Sequence, residues 1–222
     1  MEIRKIISKL IHIANNFLFP KNCIGCKQSN MFLCQKCASR IKLDNYQVRP
    51  DIFAFFPYHH LDIKNLIQLL KYQGVFTVAE DIIEVIIEDI IKIINQEFTK
   101  SKNKIVLLPI PLSSRRYRQR GYNQSQKLAH AIVKKKPQVF ELNDKVLIKS
   151  KNNEPQVQMT NTEKRQQNVI GVFTITEPEI IKERQIIIID DVVTTGATMI
   201  EAMKKIRQAE AQKVIGLAIA HG

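Results

Sequence analysis

Two aspartates, Asp190 and Asp191, stand at the end of the most apolar run of this sequence, QIIII at 185–189. Behind them come Thr194, Thr195, Gly196, Ala197 and Thr198, and then a helical pattern. A buried strand ending at Ile189 would deliver both carboxylates at its carboxyl end, where open α/β sheets place their ligands. Small residues let backbone N–H groups approach an anion, and a helix N-terminus adds unpaired donors and partial positive charge. The threonine hydroxyls add more donors. The turn suits a phosphate, yet two carboxylates beside it would repel one. A ligand with a phosphate at one end and vicinal hydroxyls further along reconciles the two features, and a 5-phosphorylated ribose has both. A plain strand end with a capping aspartate accounts for one carboxylate but not for two followed by TTGAT. Neither GxxxxGK[ST] nor GxGxxG occurs, so nucleotide loops of those types are excluded.

A second constellation is PIPLSSRRYRQRGYNQSQKLA, residues 109–129, with Arg115, Arg116, Arg118 and Arg120. It follows one apolar strand pattern and precedes a helical one, which puts it at the same end of the sheet as Asp190. Arginine offers fixed, forked donors suited to phosphate oxygens, and Tyr117 and Tyr122 interleave as stacking surfaces for bases. Pyrophosphate and nucleic acid are the ligands this pattern favours over a merely solvated turn. The third constellation holds all four cysteines, Cys23-x-x-Cys26 and Cys34-x-x-Cys37. Two such pairs can each wrap one side of a tetrahedral ion, and the seven-residue spacer allows a compact hairpin. Zinc with four protein ligands would be structural, and redox disulfides are the weaker alternative in a cytosolic chain.

Elements must hold these groups in place. Apolar periodicity predicts helices over 63–71, 79–98, 123–135 and 198–209, and strands over 53–58, 104–110, 145–150, 169–175, 185–189 and 213–222. In the 79–98 segment isoleucine favours strand by propensity, but the 3.6-residue period over some 20 residues decides for helix. Alternating strands and helices imply an α/β fold, a mainly parallel sheet with helices on both faces. Residues 3–18 read as a basic amphipathic helix that packs on the body rather than on a membrane. Residues 151–168 are polar and lack periodicity. The spans divide the chain into 1–45, with the amphipathic helix and the cysteines, and 46–222, the sheet domain.

The chain has 222 residues, 45% of them hydrophobic and 25% charged, with a net charge of +13. No apolar run is long enough to cross a bilayer, and no signal-peptide cleavage pattern is present, so a cytoplasmic protein without stable membrane insertion is expected. The charge is uneven: residues 101–171 contain 15 Lys and Arg against 4 Asp and Glu. A generally lysine-rich composition explains some of this, but not the arginine cluster, and a polyanionic partner is expected.

With these residues in view, the sequence resembles the ComF family of competence-associated phosphoribosyltransferase-like proteins. FLFPKNCIGC and CQKC resemble that family's zinc-finger entry. LKYQG at 70–74, PIPLSSRRYRQRGYNQ, PQVQMTNTEKRQQNVIGVF at 155–173 and IIIIDDVVTTGAT resemble its sheet-domain motifs. Ser113 and Ser114 depart from the His-Pro often found there, and Gln73 and Val75 from arginine and aspartate. The resemblance implies a type I phosphoribosyltransferase fold with a small N-terminal zinc finger built on four cysteines. It implies binding of Mg²⁺ and 5-phosphoribosyl 1-pyrophosphate (PRPP). Thr194, Thr195, Gly196, Ala197 and Thr198 would hold the 5-phosphate, with Asp190 and Asp191 at the ribose hydroxyls. Arg165, on a loop over 151–168 that would close to exclude water, would be the third catalytic residue. It further implies a role in DNA uptake during natural transformation, beside a helicase-like partner, DNA-processing proteins and incoming single-stranded DNA. A catalytically silent single-stranded-DNA module on the same fold and a nucleotide-salvage enzyme are the competing readings.

Overall fold

A computed structural model describes residues 21–72, 77–149 and 171–222. The expected helix over 3–18, the loop over 151–168 with Arg165, and Gln73 and Val75 lie outside the described residues. Among the described residues no helix is long and apolar enough to cross a membrane.

Among the described residues eight strands and six α-helices follow in chain order. They are α1 (Gln35–Ile41), β1 (Gln47–Arg49), β2 (Ile52–Pro57), α2 (Leu61–Tyr72), α3 (Thr77–Glu97), β3 (Ile105–Pro109), α4 (Ser114–Arg120) and α5 (Gln124–Lys135). After them come β4 (Phe140–Leu142), β5 (Leu147–Lys149), β6 (Phe173–Ile175), β7 (Gln185–Val193), α6 (Ala197–Gln208) and β8 (Lys213–His221). The main sheet has the order β1-β2-β8-β7-β3-β4, parallel throughout except for the edge strand β1. β5 and β6 do not join it. They pair antiparallel as a separate two-stranded sheet.

Alternation along the strands sorts the core into two layers. Leu107, Ile187, Ile189, Ile215 and Leu217 face α2, α3 and α5. Val106, Leu108, Ile186, Ile188 and Val214 face α6 and the β5–β6 hairpin. The strands are apolar on both sides because both sides are covered. α5, which follows β3, therefore lies on one face, and α6, which follows β7, lies on the other. The chain changes direction between β3 and β7, so their carboxyl ends open a crevice between two diverging connections.

Two details seat α6. Gly216 on β8 leaves room for Met199: a Cβ there would stand 2.7 Å from Met199 Cγ and 2.9 Å from its Sδ. The Pro50-Asp51 turn between β1 and β2 is tied down by Asp51, which pairs with Arg207 of α6 at 2.8 Å and with Lys213 of β8 at 3.0 Å. The cysteine segment is not remote from the sheet domain. Cys23, Phe32, Leu33, Cys34, Cys37 and Ala38 share one buried cluster with α2 and α3, and the Phe32 amide donates to Asp81 Oδ2 of α3 at 2.7 Å.

Candidate functional site

The strand bearing the aspartates runs further than its apolar residues suggest. β7 extends to Val193, still paired with β8 as far as His221. On its other side β3 pairs no further than Pro109 opposite Ile189, and the Ile110 amide closes that ladder on Ile189 O at 2.9 Å. Asp190 and Asp191 thus sit within β7, at the level where its neighbour has left. This corrects the expected strand end at Ile189 and explains it: the pattern turns polar because one flank opens into the crevice, not because the strand stops.

Successive strand residues point to opposite sides, and the two carboxylates find different partners. Asp190 Oδ1 accepts from Ser125 Oγ at 3.0 Å and from the Asp191 amide at 2.9 Å. Ser125 is placed by the start of α5, where Asn123 caps the helix on the Ser125 amide and donates from Nδ2 to Ile110 O. Asp191 Oδ1 accepts from the Val192 amide, and its Oδ2 lies 2.7 Å from Lys71 Nζ. That contact has the geometry of an ion pair rather than a directed hydrogen bond. Both partners are largely buried, with side-chain exposures of 18% for Lys71 and 6% for Asp191. Burial, then the neighbouring Asp191 charge, pushes the Asp190 carboxyl up to about 8, against the opposing pull of the Asp191 amide and Ser125.

The loop that follows is built for approach. Gly196 adopts φ +78°, the left-handed region that favours glycine. No side chain caps α6 at Gly196, and no acidic residue stands in the first turn. The Ala197 amide makes a long contact of 3.4 Å with Thr195 Oγ1. Thr194 is exposed, and Thr195, Ala197 and Thr198 are partly so. The α6 N-terminus therefore presents lightly engaged amides and hydroxyls beside the carboxylates. The Arg49 side chain of β1 lies over Gly196, with its Cδ 2.9 Å from where a glycine Cβ would stand.

The arginine segment forms a helix rather than a turn. Ser113, at the departure from His-Pro, accepts from the Arg116 amide as the N-cap of α4, and Gly121 closes the helix at φ +77°. No residue of α4 is buried, so nothing imposes an apolar period on it. Arg115, Arg116 and Arg118 are exposed and have no acidic partner among the described residues, whereas Lys134, Lys135 and Lys136 pair with Glu80, Glu84 and Glu88 of α3. Arg120 is engaged internally, with Nη1 on Gln124 Oε1 at 2.9 Å and the guanidinium 5.0 Å from the Tyr72 ring centre. Tyr117 is exposed. The Tyr122 hydroxyl donates to Leu70 O at 2.6 Å and so fastens α2 to the start of α5.

At the other end of α2 the four cysteine sulfurs all lie within 4.8 Å of one another. Amides shape the cluster: Cys34 N–H points at Cys23 Sγ and Cys37 N–H at Cys34 Sγ, each at 3.4 Å. Gly25 has no substitute here, since a Cβ would stand 2.8 Å from Cys37 Sγ. Burial opposes ionisation of Cys23, but the amides of Cys26, Cys34 and Gly25 outweigh it and draw the thiol down to about 6. Burial and the adjoining sulfurs push Cys37 up to about 12. Four soft donors converging in this way fit one tetrahedral ion.

The segment over 79–221 matches the family model for the phosphoribosyl transferase domain. The chain belongs to this family. Among solved structures, this phosphoribosyl transferase domain is distantly similar to one described as the allosteric regulatory enzyme of purine biosynthesis, at 14% identity and TM-score 0.41, over 68% of this chain and 29% of that one. It is similar at 16% identity and TM-score 0.38 to glutamine PRPP amidotransferase from B. subtilis complexed with ADP and GMP, over 68% of this chain and 30% of that one. A third is hypoxanthine-guanine phosphoribosyltransferase from Schistosoma mansoni in complex with IMP, at 10% identity and TM-score 0.33, over 64% of this chain and 65% of that one. This chain thus spans under a third of the first two. No curated protein matches it. The family match decides the assignment. Lys71, Ser125 and Arg49 were not singled out as site residues from the sequence. Lys71 and Arg49 also fall outside the matched segment.

Proposed function

We propose that this chain binds Mg²⁺–PRPP at the crevice between β3 and β7 and works, as a ComF-type protein, in the handling of incoming single-stranded DNA during natural transformation. The observation that carries the PRPP reading is the pairing of Asp190 and Asp191 with the uncapped N-terminus of α6. The amides and hydroxyls of residues 194–198 hold the 5-phosphate, and the carboxylates take the ribose hydroxyls. When pyrophosphate departs from C1, positive charge develops on the ribose ring, and a fixed carboxylate stabilises it. Bound Mg²⁺ supplies positive charge at the pyrophosphate. The quartet holds zinc as a structural ion. Arg165 serves transfer from the loop over 151–168.

The competence role rests on the cysteine quartet ahead of the transferase domain and on α4, where Arg115, Arg116 and Arg118 stand exposed around Tyr117. These groups serve the pyrophosphate, the DNA backbone and bases, or both in turn. Arg120 and Tyr122, tied to α2 and α5, hold that surface in place. The cytoplasm is the compartment this role requires, with a helicase-like protein and DNA-processing proteins as partners.

The test is calorimetric titration of Mg²⁺–PRPP into the protein and into Asp190→Ala/Asp191→Ala, with single-stranded DNA binding measured alongside. Saturable PRPP binding lost in the double variant, with DNA binding intact, is the expected result. DNA affinity falling roughly 10³-fold or more between 50 and 200 mM salt marks contact with several phosphates. DNA binding without any PRPP binding would instead favour a silent DNA module on a transferase fold. PRPP binding with no DNA term would favour nucleotide salvage.

A further inference from the structure

Neither carboxylate of the crevice is free, and their partners differ in kind. Asp190 has a neutral hydroxyl and an amide. Asp191 has an ammonium, and among the described residues Lys71 is the one cation in ion-pair contact with either aspartate. Lys71 comes from the last turn of α2, 120 residues away in sequence and outside the segment that matches the transferase family. A lysine shielded to this degree forfeits hydration, which its solvent-facing neighbours on α2 keep. α2 is also fastened in register, because Tyr122 bonds Leu70 O, one residue before Lys71.

We propose that Lys71 is a positioning residue for the ribose diol, holding Asp191 in one orientation so that the carboxylate pair reads two adjacent hydroxyls. The inference rests on the PRPP reading above. Two adjacent carboxylates, one buried and the other partly so, cannot both carry charge cheaply. The ammonium stands against one of them only. Asp191 then accepts hydrogen bonds from a fixed position, while Asp190, whose carboxyl is raised by burial and by the neighbouring Asp191 charge, can donate as well as accept. The pair so offers a vicinal diol one acceptor and one donor at fixed places. Lys71 does not block the seat, since each carboxylate oxygen accepts about two hydrogen bonds.

The test compares ribose 5-phosphate with 2-deoxyribose 5-phosphate, each titrated into the wild-type protein, Lys71→Met and Lys71→Arg, with PRPP run as a reference. In the wild type ribose 5-phosphate binds tighter, because the deoxy ligand leaves a buried carboxylate without its donor. Lys71→Met should weaken ribose 5-phosphate roughly 10-fold or more while changing 2-deoxyribose 5-phosphate far less, so that the preference collapses. Lys71→Arg, which keeps the charge, should restore the preference to within roughly 3-fold. Circular dichroism and melting temperature establish that each variant is folded, and Lys71→Gln takes the place of Lys71→Met if that variant does not fold. A preference unchanged in the uncharged variant, or both ligands weakened equally with no rescue by arginine, overturns the inference and leaves the PRPP reading standing. No binding of any of the three ligands to the wild type overturns both.

Discussion

Gly216 sets how closely the first turn of α6 approaches the sheet, and Gly216→Ala measures that closeness. The glycine lies on β8 between Ile52 and Ile188. Its new Cβ would meet Met199 Cγ at 2.7 Å and Sδ at 2.9 Å, about 0.7 Å inside ordinary van der Waals contact. Met199 is only 2% exposed, so it has no solvent to swing into, and α6 or the side chain must yield. Overpacking of this kind costs about 1–3 kcal/mol. Replacing a strand glycine by alanine returns about 0.5–1 kcal/mol of backbone entropy. The net is a destabilisation of about 1–2 kcal/mol, or roughly 2–8 °C in melting temperature for a chain of this size. Calorimetry of Gly216→Ala, Met199→Ala and the double variant checks the cause. If Met199 is the obstacle, the double variant is more stable than the sum of the two predicts by about 1 kcal/mol. Additivity, or a Gly216→Ala protein as stable as wild type, would refute the reasoning. Since Met199 is the third residue of α6, the displacement should also weaken PRPP binding.

Asp190→Asn mimics the protonated carboxyl. The native carboxyl is raised from 3.8 to about 8, so across that window the native state binds more protons than the unfolded chain and wild-type stability falls as pH rises. The asparagine variant should gain on wild type from pH 4 to 8 and then hold a constant lead, as read by melting temperature; a lead that shrinks with pH would contradict the shift. Gly196→Ala places a side chain at φ +78°, a strain of about 1–2 kcal/mol, with a Cβ 2.9 Å from Arg49 Cδ. It should lower both melting temperature and PRPP affinity, and Arg49→Ala in that background should recover only the part due to contact. Metal analysis should find one zinc per chain in the wild type and none in Cys26→Ser, whose melting temperature falls; a wild type equally stable with no bound metal would remove the structural role.

The parts of the fold that were legible were those whose periodicity is enforced by burial. α3 was readable despite its isoleucines because eleven of its 21 residues are buried along one stripe. β7 was readable as far as it is covered on both flanks, and became obscure at Asp190, where one flank is open. α4 had no apolar stripe to read because it buries nothing. β4 has only three residues, at the edge of the sheet. The cysteine quartet was local and visible by spacing alone. Within the site, the aspartates and the small-residue turn announced themselves because their chemistry is contiguous. Lys71 did not, since nothing near LLKYQG indicates that its ammonium meets a carboxylate so far along the chain. Tyr122 illustrates the converse: an aromatic beside arginines suggests stacking on a base, and nothing in the sequence indicates that its hydroxyl also bonds to a carbonyl of α2.

α2 imposes a constraint of a different sort on how this chain can vary. Its first turn lies by the cysteine quartet, where Asp62 stands beside Gly25, and its last turn delivers Lys71 to Asp191. A helix of 12 residues is about 18 Å long, and each added residue turns everything beyond it by about 100°. One insertion or deletion between Ile63 and Lys71 would therefore swing the ammonium away from the carboxylate even if the helix stayed intact and its buried stripe were repaired by substitution. The segments before β1 and between α3 and β3 carry no such angular demand. Length variation among relatives should collect there, while the count of residues along α2 stays fixed.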